Sequence, residues 1–571
     1  MSGISGWYDP YEKRFVTEQS LAKVFGEKRY SVVYSGELYN YGELRQELEK
    51  RGHRFETTSD AEIVLNGLFT YGTDFVKQMN GVFAFVFYDE TEETLHLFRD
   101  RIGVKPLFYT KRGEKIFFAS EIKTLLACSG AKPILDKKGL NEVFGIGPAK
   151  TYGCGVFKRI EEVLPGHLLS YSEAGVKNSC YWKLVSKAHE DNYEQTVERT
   201  AFLLGDAVKR QMVSEKPVCT FLSGGLDSSL VSAICARELK KEGERLHTFS
   251  FDFTGNDKNF HASTFQPSQD RPYVEQMVQF LDSEHHYLEC DFRTQADYLY
   301  ESIDAKGLPA MADVDSSLLY FCSRVAKQFQ VALTGECADE IFGGYPWFHK
   351  KECLEANTFP WTMDLKPRCA MLSDEFLEVL KMEEYVRETY EKSVAETPKL
   401  AGEEKEEARR REISYLNQKW FMQTLLDRME RTSTHSGLSA RVPFADFRIV
   451  EYLWNVPWEM KAKGGMVKSL LREAGRGLLP EEILFRRKSP YPKTYDKAYE
   501  EILVKKMRVI MAETDSPIRQ FLDEKKVERF LSSPSDYGKP WYGQLMAAPQ
   551  MIAYLIQINY WLETYQIKIE L

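Results

Sequence analysis

No two cysteines of this sequence share the spacing of a metal finger or a redox motif. The ten Cys are scattered, without one CxxC, and the first is Cys128. A disulfide framework and a zinc ribbon are therefore not its organising devices, and the thiols are expected to be reduced and mostly buried as small hydrophobes. Positive charge is not in excess either. Seventy-six Lys and Arg against 85 Asp and Glu leave a formal net charge of −9. That balance argues against a nucleic-acid partner, which would need clustered cations to neutralise phosphates. A small basic pocket for a nucleotide stays open. A signal peptide and an apolar run of about eighteen residues are missing too, so no membrane association and a cytoplasmic location are expected. No internal repeat or low-complexity segment stands out.

Apolar and aromatic bulk is what the sequence has. Hydrophobic residues make up 43% and aromatics 13%, and 571 residues exceed what one core supports, so at least two domains are expected. From Tyr30 to about Tyr171 most segments read as strands. "YSVVYSGELY" and "GVFAFVFYDE" are β-rich, "YGELRQELEKRGH" is an amphipathic helix ended by Gly52, and the turn "KRGEK" joins two further strands. A helix is expected to open the chain before them. The reading is an α+β layered domain over 1–185. From about Glu194 helices and strands alternate: "KPVCTFLSGG", "RLHTFSFDF", "HHYLECD" and "QVALTGE" are strands separated by helical segments. Such alternation implies an α/β domain, a parallel sheet with helices on both faces, over 194–571 with a helical C-terminal part. The charge run "AGEEKEEARRREISYL" reads as a solvated helix face.

"FLSGGLDSS", Phe221 to Ser229, carries the chemistry. It follows an apolar strand and opens a helix, where α/β sheets bind anions. Gly224 and Gly225 permit a tight turn and close ligand approach, while Ser223, Ser228 and Ser229 add hydroxyl donors. Asp227 would repel a bare phosphate and makes sense if Mg²⁺ lies between them. A Gly turn capped by Ser and Asp is the plainer alternative, but the complete motif in this setting outweighs it. The Walker A lysine is absent; the loop resembles the pyrophosphate loop of the ATP pyrophosphatase superfamily, which cleaves ATP to AMP and pyrophosphate. "LTGECADEIFGGYPWF" lies at the same edge of the sheet. It offers Asp339 as a second Mg²⁺ ligand and Glu336 as a base facing a carboxyl substrate. In "LFRRKSPYPKTY", Lys488 can balance charge on a phosphate leaving group.

SGGLDSS, GECADEIFGGY, "ARVPFADFRIVEYLWNVPWEMK" and FRRKSPYPK, in this order, resemble the asparagine synthetase family of the glutamine-dependent class B type. The resemblance runs to about Tyr495. It implies a C-terminal domain that adenylates aspartate with ATP and Mg²⁺ and lets ammonia attack the acyl-adenylate. It further implies ATP contacts from Leu222, Ser223, Gly224, Gly225, Asp227, Ser228, Phe251, Thr334 and Gly335, and Mg²⁺-pyrophosphate held by Asp227 and Asp339. Glu336 would assist ammonia, and Lys488 would stabilise the adenylation transition state. Relatives are often homodimers. One departure is Ser439, where the family usually has Glu; it puts the charge near the acceptor in question.

The N-terminal domain resembles the family's glutaminase, an N-terminal-nucleophile hydrolase fold of the class II amidotransferase kind, reduced here to its β-sandwich layer. "GELYN", "SDAE", "MNGVFAF" and "RDRIGVKPLFY" carry that likeness. The family's N-terminal Cys is replaced by Ser2, the Asn that serves the oxyanion by Ser35, and the HRGPD and HRRLAI-type segments are gone. Gly36, Glu37 and Asp60 survive. Losing one oxyanion donor costs on the order of 10²–10³ in rate, so the site is expected to be inactive, with nitrogen taken from ammonia supplied from outside. Two alternatives stay open: an amide ligase redirected to another carboxylate or amine, as in β-lactam synthetases and lasso-peptide cyclases, and a non-catalytic nucleotide-binding module.

Overall fold

The computed structural model describes residues 3–18, 20–25, 28–262, 268–534 and 540–571. The chain divides into two compact units, Met1–Asp136 with Thr151–Val185, and Lys137–Lys150 with Ser186–Leu571.

The first unit is built on two antiparallel sheets. One runs Gly175–Cys180, His167–Ser172, Thr94–Arg99, Gly81–Asp89, Lys28–Leu38, Leu21–Phe25. The other runs Glu161–Glu162, Phe108–Arg112, Lys115–Ala119, Ser5–Asp9, Arg14–Thr17. Period-two alternation gives each sheet an apolar face, and Tyr8, Ile116 and Phe118 from one join Val33, Val86, Leu97 and Tyr171 from the other in one buried core. The opposite face of the six-stranded sheet, through Phe83, Phe85 and Phe98, packs helices Tyr41–Lys50 and Asp60–Tyr71 by Leu44, Leu48, Ile63 and Leu68. Ser59 caps the second helix by accepting from the Ala61 N–H, and Gly72 ends it at φ +63°. The opening segment corrects the sequence reading. Among the described residues no helix precedes Tyr41, and "LAKVF" is a strand paired with Lys28–Leu38. Its exposure alternates residue by residue, and Phe25 stacks on Phe69 at 4.1 Å. That is period two, which a helix does not have.

The second unit holds a five-stranded sheet in the order Glu284–Cys290, His247–Phe253, Val218–Phe221, Val331–Leu333, Ser439–Arg441, every pair parallel. Helices Tyr193–Met212 and Leu226–Lys241 pack together on one side, helices Asp313–Val325 and Gln423–His435 on the other. Phe249, Phe251, Leu318, Phe321 and Met429 form the core under the latter pair. The first strand in sequence lies at the centre and the fourth on its far side, so the winding reverses between Val218–Phe221 and Val331–Leu333. At such a reversal the loops leave in opposite directions and open a crevice at the strands' carboxyl ends.

The charge run is less solvated than its composition implies. In helix Lys405–Leu416 the Arg411 side chain is buried, pairs with Glu403 at 2.6 Å and donates to the Trp454 carbonyl. Arg410 lies 4.7 Å over the Trp458 ring. Guanidinium forks satisfy carbonyls and stack on indoles where an ammonium would stay in water, so a run of arginines makes a packing face. Seven of the ten Cys are buried, and all are free. Among the described residues no helix is long and apolar enough to cross a membrane.

Candidate functional site

The crevice begins where the central strand ends. The Leu222 N–H donates to the Phe249 carbonyl at 2.8 Å, carrying the strand's pairing one residue past its end. Gly224 then turns the chain at φ +67°; a Cβ there would lie 2.7 Å from the Tyr273 backbone. Helix Leu226–Lys241 starts at Gly225 with no side chain capping it, so its first N–H groups and positive end face the crevice. Ser223 and Ser228 hydroxyls meet at 2.9 Å across the turn. Opposite, the strand Val331–Leu333 continues through Thr334 to Gly335, where a Cβ would come within 2.7 Å of the Ser228 nitrogen. The two loops touch only because position 335 has no side chain. Cys337, at φ +74°, then swings the chain so that the short helix Ala338–Phe342 presents Asp339. A non-glycine residue held in the left-handed region marks a constrained segment.

Charge converges there. The buried Lys468 ammonium lies 2.6 Å from Asp227 Oδ2 and 2.5 Å from Asp339 Oδ1. Lys488 pairs with Asp339 Oδ2 and lies 4.6 Å over the Tyr345 ring. Glu336 accepts from the buried Arg428 at 2.7 Å, and Arg428 in turn lies 5.3 Å over the Tyr491 ring. Arg486 pairs with Asp270, donates to the Ser223 carbonyl at 3.1 Å and covers the Tyr273 ring at 3.9 Å.

The titration of these groups follows from burial against pairing. Burial works against the Asp339 carboxylate, but Lys468 and Lys488 outweigh it and hold it at about 2. For Asp227 burial wins over Lys468 and the carboxyl is raised. Burial also pulls Lys468 down, and the two carboxylates more than reverse it, so it stays charged. Glu340 is buried beside Asp339 and is pushed up to about 8, with Tyr345 Oη donating to it at 2.6 Å. Asp227 Oδ1 is buried without a hydrogen-bond partner. An orphaned carboxylate oxygen next to a second carboxylate, with a cation already between them, suits a hard divalent ion such as Mg²⁺.

Of the residues singled out from the sequence, Leu222, Ser223, Gly225, Asp227, Ser228, Phe251, Thr334, Gly335, Glu336, Asp339 and Lys488 line one cavity of about 260 Å³. Gly224 shapes the turn from outside that lining. Ser439 is not among the lining residues. It begins the strand Ser439–Arg441, in register with Val331 at the sheet's other end, so its replacement of Glu does not alter the charge of the crevice. Sequence reasoning missed Lys468, Arg428 and Arg486, and it offers Glu340 among the acids without giving it a role. Glu340 stood inside a quoted motif; Lys468 in "MVKSLLREA" and Arg428 in "LLDRMERTS" look like ordinary helical residues and reach the site only through the fold.

In the first unit, Ser35, Gly36 and Glu37 lie on the strand Lys28–Leu38, opposite Ala84, Phe83 and Val82. Gly36 sits at φ +149°, and a Cβ there would come within 2.2 Å of the Val82 carbonyl. The Asp60 carboxylate accepts from the Leu38 N–H at 2.8 Å. Ser2 lies outside the described residues.

A family model described as asparagine synthase matches residues 199–563, and one described as a glutamine amidotransferase domain matches residues 16–182. The glutamine-hydrolysing asparagine synthetase 3 of Bacillus subtilis (strain 168) is 47% identical over 554 residues, 97% of this chain and 90% of that protein. The glutamine-hydrolysing asparagine synthetase 1 of the same organism is 27% identical over 503 residues, 82% of this chain and 76% of its own. A putative glutamine-hydrolysing asparagine synthetase 2 of Methanocaldococcus jannaschii is 33% identical over 329 residues, 55% and 58% of the two chains.

Proposed function

The chain belongs to the asparagine synthase family, and from that premise we propose that it forms asparagine from aspartate, ATP and free ammonia. Membership makes it an ATP-dependent amide ligase, a carbon–nitrogen ligase. The finer reading assigns adenylation and amide formation to residues 194–571 and a catalytically silent, glutaminase-like role to residues 1–185.

A side-chain oxygen of aspartate attacks the α-phosphorus of ATP, the bond to pyrophosphate breaks, and an acyl-adenylate forms. Ammonia then attacks the acyl carbon and AMP leaves. Ser223, Gly225, Ser228 and the start of helix Leu226–Lys241 donate to the phosphates, and Leu222, Phe251, Thr334 and Gly335 enclose the base. Asp227 and Asp339 would hold Mg²⁺, which supplies charge neutralisation to the pyrophosphate. Lys488 and Lys468 stand where negative charge grows on that leaving group. Glu336, positioned by Arg428, takes the proton that ammonia sheds. The observation that carries the reading is the ion cluster Asp227–Lys468–Asp339–Lys488, built around the buried Lys468, at the mouth of the glycine turn.

The reading of the nitrogen source rests on the first unit. Relatives named glutamine-hydrolysing match it, yet Ser2 stands at the nucleophile position and Ser35 offers a hydroxyl in place of an oxyanion-binding amide. The ammonia is then free or delivered by another protein. ATP–pyrophosphate exchange across a panel of carboxylates, with ammonium and glutamine compared as donors, tests both halves. Exchange with aspartate and asparagine formation from ammonium alone are expected. Exchange with a different carboxylate but not aspartate would overturn the substrate assignment, and equal use of glutamine would overturn the nitrogen assignment.

A further inference from the structure

A second cluster of ligating side chains lies at the opposite end of the parallel sheet. His247 and Glu284 are the first residues of the adjacent strands His247–Phe253 and Glu284–Cys290 and face each other in register, while His286 pairs in register with Phe249. Parallel pairing and period-two alternation put all three side chains on one face of the sheet. His247 Nδ1 and His286 Nε2 are 3.2 Å apart. Glu284 Oε1 lies 3.7 Å from the first and 3.9 Å from the second.

The rings are held from their apolar sides. His286 stacks on Phe249 with centroids 4.4 Å apart, and His247 packs on Phe329 at 4.9 Å. The neighbouring His285 belongs to the other face. Both its nitrogens are engaged, Nδ1 with the Thr248 hydroxyl and Nε2 with that of Ser250, each at 2.9 Å. Of three clustered imidazoles, two therefore direct a nitrogen at each other and at a carboxylate. A hydrogen bond between the rings would account for their own separation. It does not account for the carboxylate, which is too far from either nitrogen to accept one. A tetrahedral ion bound at about 2.0–2.1 Å places its ligand atoms about 3.3–3.4 Å apart. The two nitrogens already have that spacing within about 0.2 Å, and the exposed Glu284 closes the rest by side-chain rotation.

We infer that His247, Glu284 and His286 form a binding site for a divalent transition metal, Zn²⁺ foremost, with water in the fourth position. Two imidazoles and one carboxylate favour zinc or cobalt over the hard ions that the catalytic carboxylates suit. The site is separate from the crevice, whose loops leave the carboxyl ends of the strands. Its effect would be to staple the outermost strand to its neighbour, since both strands contribute ligands.

The test uses the full chain, freed of metal with a chelator and titrated with Zn²⁺, then with Co²⁺. One equivalent is expected to bind more tightly than any other, with Co²⁺ giving the intense visible absorption of a four-coordinate site and Zn²⁺ raising the melting temperature in a concentration-dependent way. H247N and H286Q are each expected to weaken that equivalent at least tenfold, and E284Q by less. Metal-free melting and pyrophosphate exchange check that the variants are folded. Should a histidine variant fail to fold, E284Q at an exposed position still decides by loss of affinity. No tight equivalent, or one untouched in the H247N/H286Q double variant, would overturn the site; neither result bears on the ligase reading.

Discussion

In the second unit, residues as far apart as positions 227, 339, 468 and 488 meet in one ion cluster around the buried Lys468. In the first unit, Asp60 of the SDAE motif accepts from a backbone N–H, that of Leu38. Both units are packed alike, with fully buried aromatics such as Phe83, Phe118 and Phe249 in their cores. Alternating apolar residues maintain a sheet whether or not its edges carry chemistry. A convergent charge cluster has no such independence. Each member is costly to bury alone and persists only with its partners.

Asp339→Asn breaks the contrast most strongly, because it strips two lysines of their shared partner. Pyrophosphate exchange is expected to fall by on the order of 10²–10³ with the far-UV spectrum retained, as a radiotracer exchange assay beside circular dichroism would read. Gly335→Val attacks the contact between the two loops rather than the charges. With a Cβ 2.7 Å from the Ser228 nitrogen and 3.0 Å from the Asp227 carbonyl carbon, the helix start must move, and a rise of roughly 10–100-fold in KM for ATP is expected from displaced phosphate donors.

A smaller effect comes from Glu340. Burial keeps its proton on in the folded state up to about pH 8, against an ordinary value of 4.5. Between those values the folded chain holds a proton that the unfolded chain has released, so this group makes stability fall as pH rises through the window. Glu340→Gln is expected to flatten that slope by up to about 1.4 kcal/mol per pH unit, seen by comparing denaturation midpoints of variant and parent at pH 5.5 and 7.5. An unchanged slope would mean that the carboxyl is ionised in the fold. The least effect is expected from Ser2→Cys: no measurable glutamine hydrolysis, since a thiol alone restores neither the oxyanion amide nor the missing segments. Glutaminase activity in that variant would erase the contrast between the units.

Legibility in the sequence followed contiguity. SGGLDSS and GECADE could be read because strand, turn and helix start are consecutive and the glycines stand where the backbone must turn or be approached. The parallel sheet was equally plain, since "RLHTFSFDF" and "HHYLECD" alternate with helical segments. Lys468 could not be read: its two partners are 241 and 129 positions away, and nothing in "KSLLREA" sets it apart from a helix start. The helix expected to open the chain failed for the opposite reason. "LAKVF" is a strand because it pairs with Lys28–Leu38 and Phe25 stacks on Phe69, contacts its own composition does not encode. Arg411 failed likewise, since composition cannot tell an arginine that solvates a helix from one that caps carbonyls.

The ammonium of Lys468 between two carboxylates has a further consequence. With Lys488, the four groups carry two negative and two positive charges and sum to zero. A neutral set can be assembled during folding, without waiting for a ligand to compensate it. On the proposed reading, a metal–nucleotide complex would meet this neutral set, and its arrival would be an exchange of counter-ions rather than the creation of a charged site. Little of the binding free energy would then be spent on ordering, leaving more for the transition state.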